Sequence, residues 1–248
     1  MLDIDRFSYH SKESYNSRQR FLILHYTACN FINSMELLTK EVSIHYVIPE
    51  SQDASYSHDE LKVFQLVDEN DRAWHAGESY WEDRDHLNDT SIGIENIYIA
   101  TEKNGKHEFP RWCSQQIELL TALCLNILQR YPEITPTRVL GHSDVSYGRK
   151  FDPGPMFPWK QLHDQGVGAW YEEDCKKDFE EQFKVLPKKK EIITEFAKLG
   201  YRKPNDDKDL QGLVCAFQMH YRPQNYDGKL DLETISILFA LTKRYYKE

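Results

Sequence analysis

The amino-acid sequence predicts an α/β sandwich built on one mixed β-sheet, followed by a small three-helix domain. Three observations predict it. Apolar segments of strand length alternate with helical segments up to residue 131. The segment 114–131 carries one apolar stripe of helical period, begins at a serine cap and ends before Pro132. Beyond residue 190 only helical patterns follow, in segments 190–199, 209–220 and 231–246.

Composition excludes several classes of protein. The 248 residues suffice for one large domain or a main domain with a small appendage. Hydrophobic residues make up 40% and charged residues 29% of the chain, which is typical of a globular protein. The 31 basic residues against 40 acidic ones give a net charge of -9, which argues against a nucleic-acid partner.

Neither the N-terminus nor the cysteines fix the compartment. No apolar run approaches the roughly 20 residues of a membrane span, and the first residues lack the apolar core of a signal peptide. The sequence therefore belongs either to a cytoplasmic protein or to a processed form. The five cysteines are odd in number and widely spaced, so they indicate neither a disulfide framework nor a cysteine zinc site.

The first predicted elements place one histidine at a strand end. Residues 20–27 form an apolar strand with His25 near its C-terminal end, where α/β sheets carry their chemistry. A lone histidine in an apolar run is also common as a satisfied core residue. Residues 31–40 are predicted as a helix and 42–48 as a second strand, in which His45 is expected to pack behind the site, with metal binding as the less favoured alternative.

The next segments add aromatic side chains and a carboxylate. Residues 63–67 are predicted as a third strand. The aromatic cluster in 73–81 is typical of a sugar or peptide groove, or of a loop held to the core. In the strand that follows residue 90, Glu95 shares a face with Gly93, which leaves room for metal or substrate. Such a carboxylate is also commonly a solvated outward charge.

The loop 141–159 carries the densest chemistry. It places His142, Lys150 and Asp152 among turn formers, and its prolines exclude a helix or strand. A neutral imidazole and a carboxylate suit zinc, and a catalytic zinc site needs one more protein ligand. A lysine in a loop is otherwise usually a solvated charge. Residues 157–165 are predicted as a closing helix.

The loop 141–159 resembles the zinc-ligand loop of N-acetylmuramoyl-L-alanine amidases of the type that includes the T7 lysozyme and peptidoglycan recognition folds. His25-Tyr26-Thr27 and Ser91-Ile92-Gly93-Ile94-Glu95 match two other motifs of that family. Ser143 replaces the family's alanine and Tyr147 its first proline. The resemblance implies a central mixed β-sheet with helices on both faces.

The resemblance also implies the site. His25, His142 and Asp152 are expected to bind one zinc ion, Glu95 to act as the general base, and Lys150 to stabilise the oxyanion. The substrate-binding positions expected from the resemblance are Trp74 and His75 in the aromatic segment 73–81, and Asn88.

The whole chain resembles the AmiD subtype of these amidases, which implies three parts. Residues 1–170 are expected to form the zinc amidase domain, 171–189 a charged linker, and 190–248 a peptidoglycan-binding-like helical domain. Ala216-Phe217-Gln218-Met219-His220 carries the latter resemblance most clearly, whereas Asp231 stands where that module usually has glycine.

The implied reaction is hydrolysis of the amide between N-acetylmuramic acid, intact or 1,6-anhydro, and L-alanine in peptidoglycan or muropeptides. The enzyme is expected to be a monomer of the cell envelope or periplasm, anchored to the outer membrane if a lipoprotein signal was removed, with the cytoplasm as the alternative. A non-catalytic peptidoglycan recognition protein is the competing function. A general zinc peptidase has little support because the chain has no His-Glu-x-x-His helix.

Overall fold

The computed structural model describes residues 3–5, 8–9, 11–103 and 106–246. The strands are β1 (Phe21–Tyr26), β2 (Tyr46–Ile48), β3 (Phe64–Gln65), β4 (Tyr80–Trp81), β5 (Arg84–Asp85), β6 (Ser91–Asn96), β7 (Thr101–Lys103), β8 (Lys106–Glu108) and β9 (Val139–Gly141). The α-helices are α1 (Phe31–Lys40), α2 (Ser114–Arg130), α3 (His142–Val145), α4 (Trp159–Asp164), α5 (Glu173–Gln182), α6 (Lys189–Leu199), α7 (Asp207–Tyr221) and α8 (Leu232–Tyr245).

One five-stranded sheet organises the chain, in the order β3-β2-β6-β1-β9. β3 pairs antiparallel with β2, and the other pairings are parallel. Parallel strands buried on both faces are continuously apolar, and Phe21 to Leu24 of β1 are accordingly 0% exposed. The predicted fold class, a mixed sheet flanked by helices, is confirmed.

The two faces of the sheet carry different helices. Successive residues of β2 belong to different cores: Tyr46 lies in the core that contains the apolar stripe of α2, whereas Val47 packs with Phe31 and Leu38 of α1. Because side chains alternate between the faces of a strand, α1 and α2 cover opposite faces. The sheet therefore lies between two helical layers.

Three boundaries differ from the prediction. The strand predicted over 42–48 is only β2, because the amide of Val42 donates to the Leu37 carbonyl at 3.2 Å and extends the last turn of α1. The strand predicted over 63–67 is only the two-residue β3. α2 is capped by Cys113 and not by a serine, since Ser114 is already helical.

The C-terminal part is helical, as the pattern predicts, but the segment predicted as a linker contains α5. This helix has few apolar residues and internal charge pairs such as Lys176 to Glu180 at 3.0 Å, which is why it looks like a connector in the sequence. Its Phe179 ring lies 5.6 Å from that of Phe239 in α8. Within the described ranges, no helix is both long and apolar enough to cross a membrane.

Candidate active site

Three neighbouring parallel strands bring polar side chains to one edge of the sheet. β1 and β6 are in a register that pairs His25 with Glu95, and Leu24 of β1 pairs with Gly141 of β9. The next residue after Gly141 is His142, at the start of α3. The carboxyl ends of parallel strands meet at one edge, so both histidines and Glu95 face the same region.

Two histidines and one aspartate form a compact cluster there. His25 Nδ1 lies 3.1 Å from His142 Nδ1 and 3.0 Å from Asp152 Oδ2. His142 Nδ1 lies 3.1 Å from the same oxygen. In the described part of the chain, these three residues are the one group of histidine, cysteine or acidic side chains arranged to hold a metal ion. The amide of Ser143 donates to the Asp152 carbonyl at 2.8 Å and brings the two ends of the loop together.

Hydrogen bonds behind the cluster fix the tautomer of each histidine. His142 donates from Nε2 to the carbonyl of Ala76 at 3.1 Å, so its Nδ1 keeps a free lone pair. The Ser91 hydroxyl donates to the Leu87 carbonyl at 2.6 Å and therefore accepts from His75 Nε2 at 3.2 Å.

The hydrogen bonds that run from Leu87 through Ser91 and His75 end at His25. Because His75 donates from Nε2, its Nδ1 accepts the Nε2–H of His25 at 3.0 Å. His25 Nδ1 then also points a lone pair at the cluster. The tautomers thus direct two imidazole lone pairs and one carboxylate oxygen at a common point, with no hydrogen between them.

This donor set fits a zinc ion. Three lone-pair donors about 3 Å apart repel one another unless a cation lies between them. Tetrahedral zinc with bonds of about 2.0–2.1 Å separates its ligands by about 3.3 Å, close to the observed spacing. Two imidazoles and a carboxylate leave a fourth position open, as in catalytic zinc sites.

The protonation states suit the same role. Burial lowers the pKa of His25 to about 4, against a smaller rise from the neighbouring carboxylate of Asp152. Burial would raise the pKa of Asp152, but the two imidazoles outweigh it and hold that pKa below its usual range. At neutral pH, His25 is therefore neutral and Asp152 is a carboxylate, the forms in which they bind metal.

A cavity of about 270 Å³ opens over the cluster, with Glu95 and Lys150 in its wall. Glu95 is 8% exposed. Burial raises its pKa well above the usual range, the charge of Asp152 adds to the rise, and Lys150 opposes it. A carboxylate of raised pKa beside a candidate metal site can accept a proton near neutral pH.

A larger cavity of about 810 Å³ adjoins this one. The Tyr98 ring in its wall lies 5.5 Å from the Tyr26 ring, which lines the smaller cavity. The large cavity is lined by the stacked pair Tyr98 and Trp112, at 4.1 Å, and by Arg111. The titratable cluster belongs to the smaller cavity, so we assign the chemistry there.

Comparison with known proteins agrees with this geometry. A family model described as N-acetylmuramoyl-L-alanine amidase matches residues 15–155. The chain belongs to this family. The amidase is 39% identical over 234 residues to the N-acetylmuramoyl-L-alanine amidase AmiD of Escherichia coli K12, covering 92% of this chain and 84% of that protein.

Two crystal structures are similar over nearly the full length of the amidase. That of AmpDH3 from Pseudomonas aeruginosa in complex with an anhydromuramic pentapeptide matches with a TM-score of 0.96, at 48% identity and 99% coverage of both chains. That of AmiD from E. coli with anhydro-N-acetylmuramic acid-L-Ala-D-gamma-Glu-L-Lys matches with a TM-score of 0.87 at 34% identity, covering 99% of this chain and 98% of that one. The predicted family and enzyme class are confirmed.

The residues expected to bind substrate lie in different surroundings. Trp74 is 64% exposed at the rim of the cavity. Asn88 accepts the amides of His75 and Ala76 with its side-chain oxygen, at 3.0 and 2.7 Å, and so holds the loop beneath the rim. His75 uses both ring nitrogens inside the amidase, which favours a role in orienting His25.

The surroundings of Gly93 differ from the sequence interpretation, whereas His45 occupies the packing position expected for it. The space beside Gly93 is filled by the Ile44 side chain and the His75 ring, since a Cβ atom at Gly93 would lie 2.5 Å from Ile44 Cδ1 and 2.6 Å from His75 Nδ1. It is not left for metal or substrate. His45 is not part of the metal cluster. Its Nδ1 accepts the Gly93 amide at 3.0 Å and its Nε2 donates to the Asp71 carbonyl at 3.3 Å.

Sequence reasoning missed Ser91 and Asp144. Ser91 lies in a recognised motif, but its bond to His75 joins different elements and leaves no local pattern. The loop predicted to contain no helix begins with the single turn α3, which holds His142 and Asp144 because it lies before the prolines. The Gly141 to Asp144 spacing of a helix start was the available signal.

Proposed function

We propose that this amidase uses one zinc ion, held by His25, His142 and Asp152, to hydrolyse the amide between the lactyl group of N-acetylmuramic acid and L-alanine. The observation that carries the proposal is the convergence of two imidazole lone pairs and a carboxylate oxygen within 3.1 Å of one another. Zinc bound there would lower the pKa of a water towards neutrality and polarise the scissile carbonyl.

Glu95 is proposed as the general base and acid. Its raised pKa lets the carboxylate take the proton of the attacking water near neutral pH. The protonated Glu95 then gives that proton to the nitrogen of L-alanine as the C–N bond breaks. An amine is a poor leaving group unless it is protonated, so this return step is required.

Lys150 is proposed to stabilise the negative charge that develops on the carbonyl oxygen. Its side chain lines the same cavity as Glu95 and the cluster. A fixed ammonium group in a cavity that is partly closed to water is worth more than the same charge in solvent. It acts on the transition state and is not needed to hold the metal.

Substrate is proposed to lie along the rim that carries Trp74, whose exposed ring suits a sugar face. The relatives from P. aeruginosa and E. coli hold anhydromuramyl peptides in their crystal structures. We propose that this chain accepts the anhydro and the intact muramic acid. Peptidoglycan and its muropeptides are then its partners.

The cell envelope or periplasm is the proposed place of action, because intact peptidoglycan is found there. We further propose that the enzyme acts as a monomer, which light scattering can test. The division into an amidase domain over residues 1–170, a connecting segment over 171–189 and a helical domain over 190–248 also remains a proposal.

Mass spectrometry of reaction products tests the proposal. Protein loaded with zinc and protein treated with chelator are incubated separately with purified muropeptides. We expect a free stem peptide that begins with L-alanine, in the zinc sample alone. If neither sample cleaves and both sediment with cell-wall sacculi, the chain is a recognition protein and the catalytic assignment is wrong.

A further inference from the structure

We propose that the C-terminal helices position the metal ligand His142, through a buried hydrogen-bonded clamp on Asp144. The inference rests on the proposed function of the cluster. It assigns Tyr201 and His220 as positioning residues for the reaction, in place of a role confined to cell-wall binding.

The clamp is formed by Asp144, which is 1% exposed. Its Oδ1 accepts the hydroxyl of Tyr201 at 2.7 Å. Its Oδ2 accepts the amide of Gly141 and Nδ1–H of His220, each at 2.8 Å. A buried carboxylate must satisfy its lone pairs within the protein, and two of these three donors come from the C-terminal part of the chain, His220 in α7 and Tyr201 just after α6.

Asp144 transmits this position to His142 over a very short stretch of chain. Both residues lie in the single helical turn α3, and the Gly141 amide held by Asp144 is the last of β9 before His142. The other end of the loop, at Asp152 and Pro153, packs closely against Gly141. A Cβ atom on Gly141 would lie 2.7 Å from Pro153, the residue after Asp152.

The donors themselves cannot move easily. The His220 ring stacks on Trp159 at 3.8 Å and on Tyr221 at 4.0 Å. The Tyr201 ring lies 4.6 Å from that of Trp81. Buried and stacked rings hold one rotamer, so the helices give Asp144 a fixed partner geometry.

A second contact joins the same loop to the helices. Tyr147, which replaces a proline of the family pattern, donates its hydroxyl to the Arg202 carbonyl at 3.2 Å. A Cβ atom on Gly212 of α7 would lie 3.2 Å from the Cα of Gly148. The first half of the loop therefore contacts the C-terminal part of the chain at Tyr147 and Gly148 as well as at Asp144.

The test replaces one hydroxyl and keeps the ring. Tyr201→Phe removes the bond to Asp144 Oδ1. Tyr246→Phe is the matched control, because its hydroxyl also joins the two parts of the chain, from Thr137 at 3.2 Å to the Leu199 carbonyl at 3.1 Å, without touching Asp144. The full-length proteins are compared by zinc dissociation constant, by the visible spectrum after cobalt substitution, and by kcat and KM on muropeptides.

We expect Tyr201→Phe to weaken zinc binding about tenfold, to change the cobalt spectrum and to lower kcat more than it changes KM, since partners behind a metal ligand are worth about 10–100-fold. The zinc affinity, kcat and KM of Tyr246→Phe should stay within about twofold of those of the unsubstituted protein, and its cobalt spectrum should be unchanged. Equal zinc affinity, spectra and kcat in the two variants would overturn the inference. If the unsubstituted protein neither binds zinc nor cleaves muropeptides, the proposed function itself fails instead.

A second pair of variants keeps the test decisive if Tyr201→Phe does not fold. His220→Asn retains a donor near the position of Nδ1, whereas His220→Leu has similar bulk and no donor. We expect the leucine variant to lose zinc affinity about tenfold and the asparagine variant to recover most of it. Equal affinities in these two variants would show that packing and not the hydrogen bond matters, and would overturn the inference.

Discussion

At the scale of single residues, the behaviour of the site depends on which ring nitrogen of each histidine carries hydrogen. The Ala76 carbonyl sets this for His142, and the chain through His75 and Ser91 sets it for His25. The partner that decides each tautomer is thus a group behind the cluster. Substitutions there should change metal affinity without touching a ligand.

Ser91→Ala tests the chain behind His25. Without the hydroxyl, His75 loses the acceptor that fixes its Nε2–H, and the lone pair of His25 is no longer held on the cluster. We expect zinc affinity to fall about tenfold. Isothermal titration with zinc measures this, with Ser236→Ala as the control, a serine of α8 that is likewise buried. Unchanged affinity in Ser91→Ala would contradict the tautomer argument.

Glu95→Gln separates catalysis from metal binding. The amide has the shape of the carboxylate but cannot accept the water proton, so turnover should fall about 10²–10⁴-fold. Zinc content should be unchanged, because Glu95 is not in the ligand cluster. Steady-state kinetics and metal analysis on the same sample check both halves. A near-normal rate in Glu95→Gln would show that Glu95 is not the general base.

At the scale of elements, the sequence pattern predicts a helix or strand where caps and apolar spacing within the segment determine it. α1 spans the predicted residues because Asn30 caps it and its apolar spacing is helical. The strand predicted over 42–48 is shortened because the amide of Val42 bonds back to the Leu37 carbonyl at the end of α1. α5 escapes prediction because its stability comes from packing on α8, which a charged sequence does not reveal.

The site shows the same difference between features that lie within one segment and contacts between distant segments. The convergence of His25, His142 and Asp152 could be predicted, because each lies in a recognisable motif at a strand end or loop. The supporting contacts could not. The bond from His220 to Asp144 joins positions 76 residues apart, and no local pattern pairs them.

Glu69 joins two elements and gives a test of stability. Its side chain is 7% exposed in its pair with Arg130 and accepts the hydroxyls of Tyr46 and Tyr131 at 2.7 and 2.8 Å. It thereby ties β2 to the end of α2. Glu69→Gln should lower the free energy of unfolding by about 1–2 kcal/mol at pH 7. The figure is modest because Arg130 is 41% exposed and its charge is screened.

The pH dependence of that loss has a definite sign. Burial alone would raise the pKa of Glu69, but Arg130 and the two tyrosines outweigh it and lower the pKa below 4.5. A carboxylate with a depressed pKa stabilises the fold above its unfolded value and loses that contribution as the pH falls. Urea unfolding should therefore show the two proteins converging below pH 4.5. A difference that grows on acidification would contradict this reading.

At the scale of the whole molecule, the sheet and the C-terminal helices share one apolar core. Trp81 of β4 packs with Tyr201, and a Cβ atom on Gly200 would lie 2.4 Å from the Trp81 ring. Glu82 donates its amide to the Gly200 carbonyl at 2.7 Å. Elements that share a buried core unfold together.

Calorimetry of the full chain should therefore show one unfolding transition that includes the C-terminal helices. Zinc at about 100 times its dissociation constant should stabilise that whole transition by about 2.7 kcal/mol, because the ion binds the folded state. Hydrogen exchange of the α7 amides measures whether zinc also stabilises the C-terminal helices. Two separate transitions, with only the first responding to zinc, would mean that the helices form an independent module.

The central claim is that one zinc ion at His25, His142 and Asp152 is required for cleavage of the N-acetylmuramoyl-L-alanine bond. The most direct test titrates zinc into chelator-treated protein while the release of stem peptide is measured. We predict that activity rises from zero and stops rising at one zinc per chain, and that His142→Ala gives neither bound zinc nor activity. Full activity without zinc, or a wild-type rate in His142→Ala, would contradict the account.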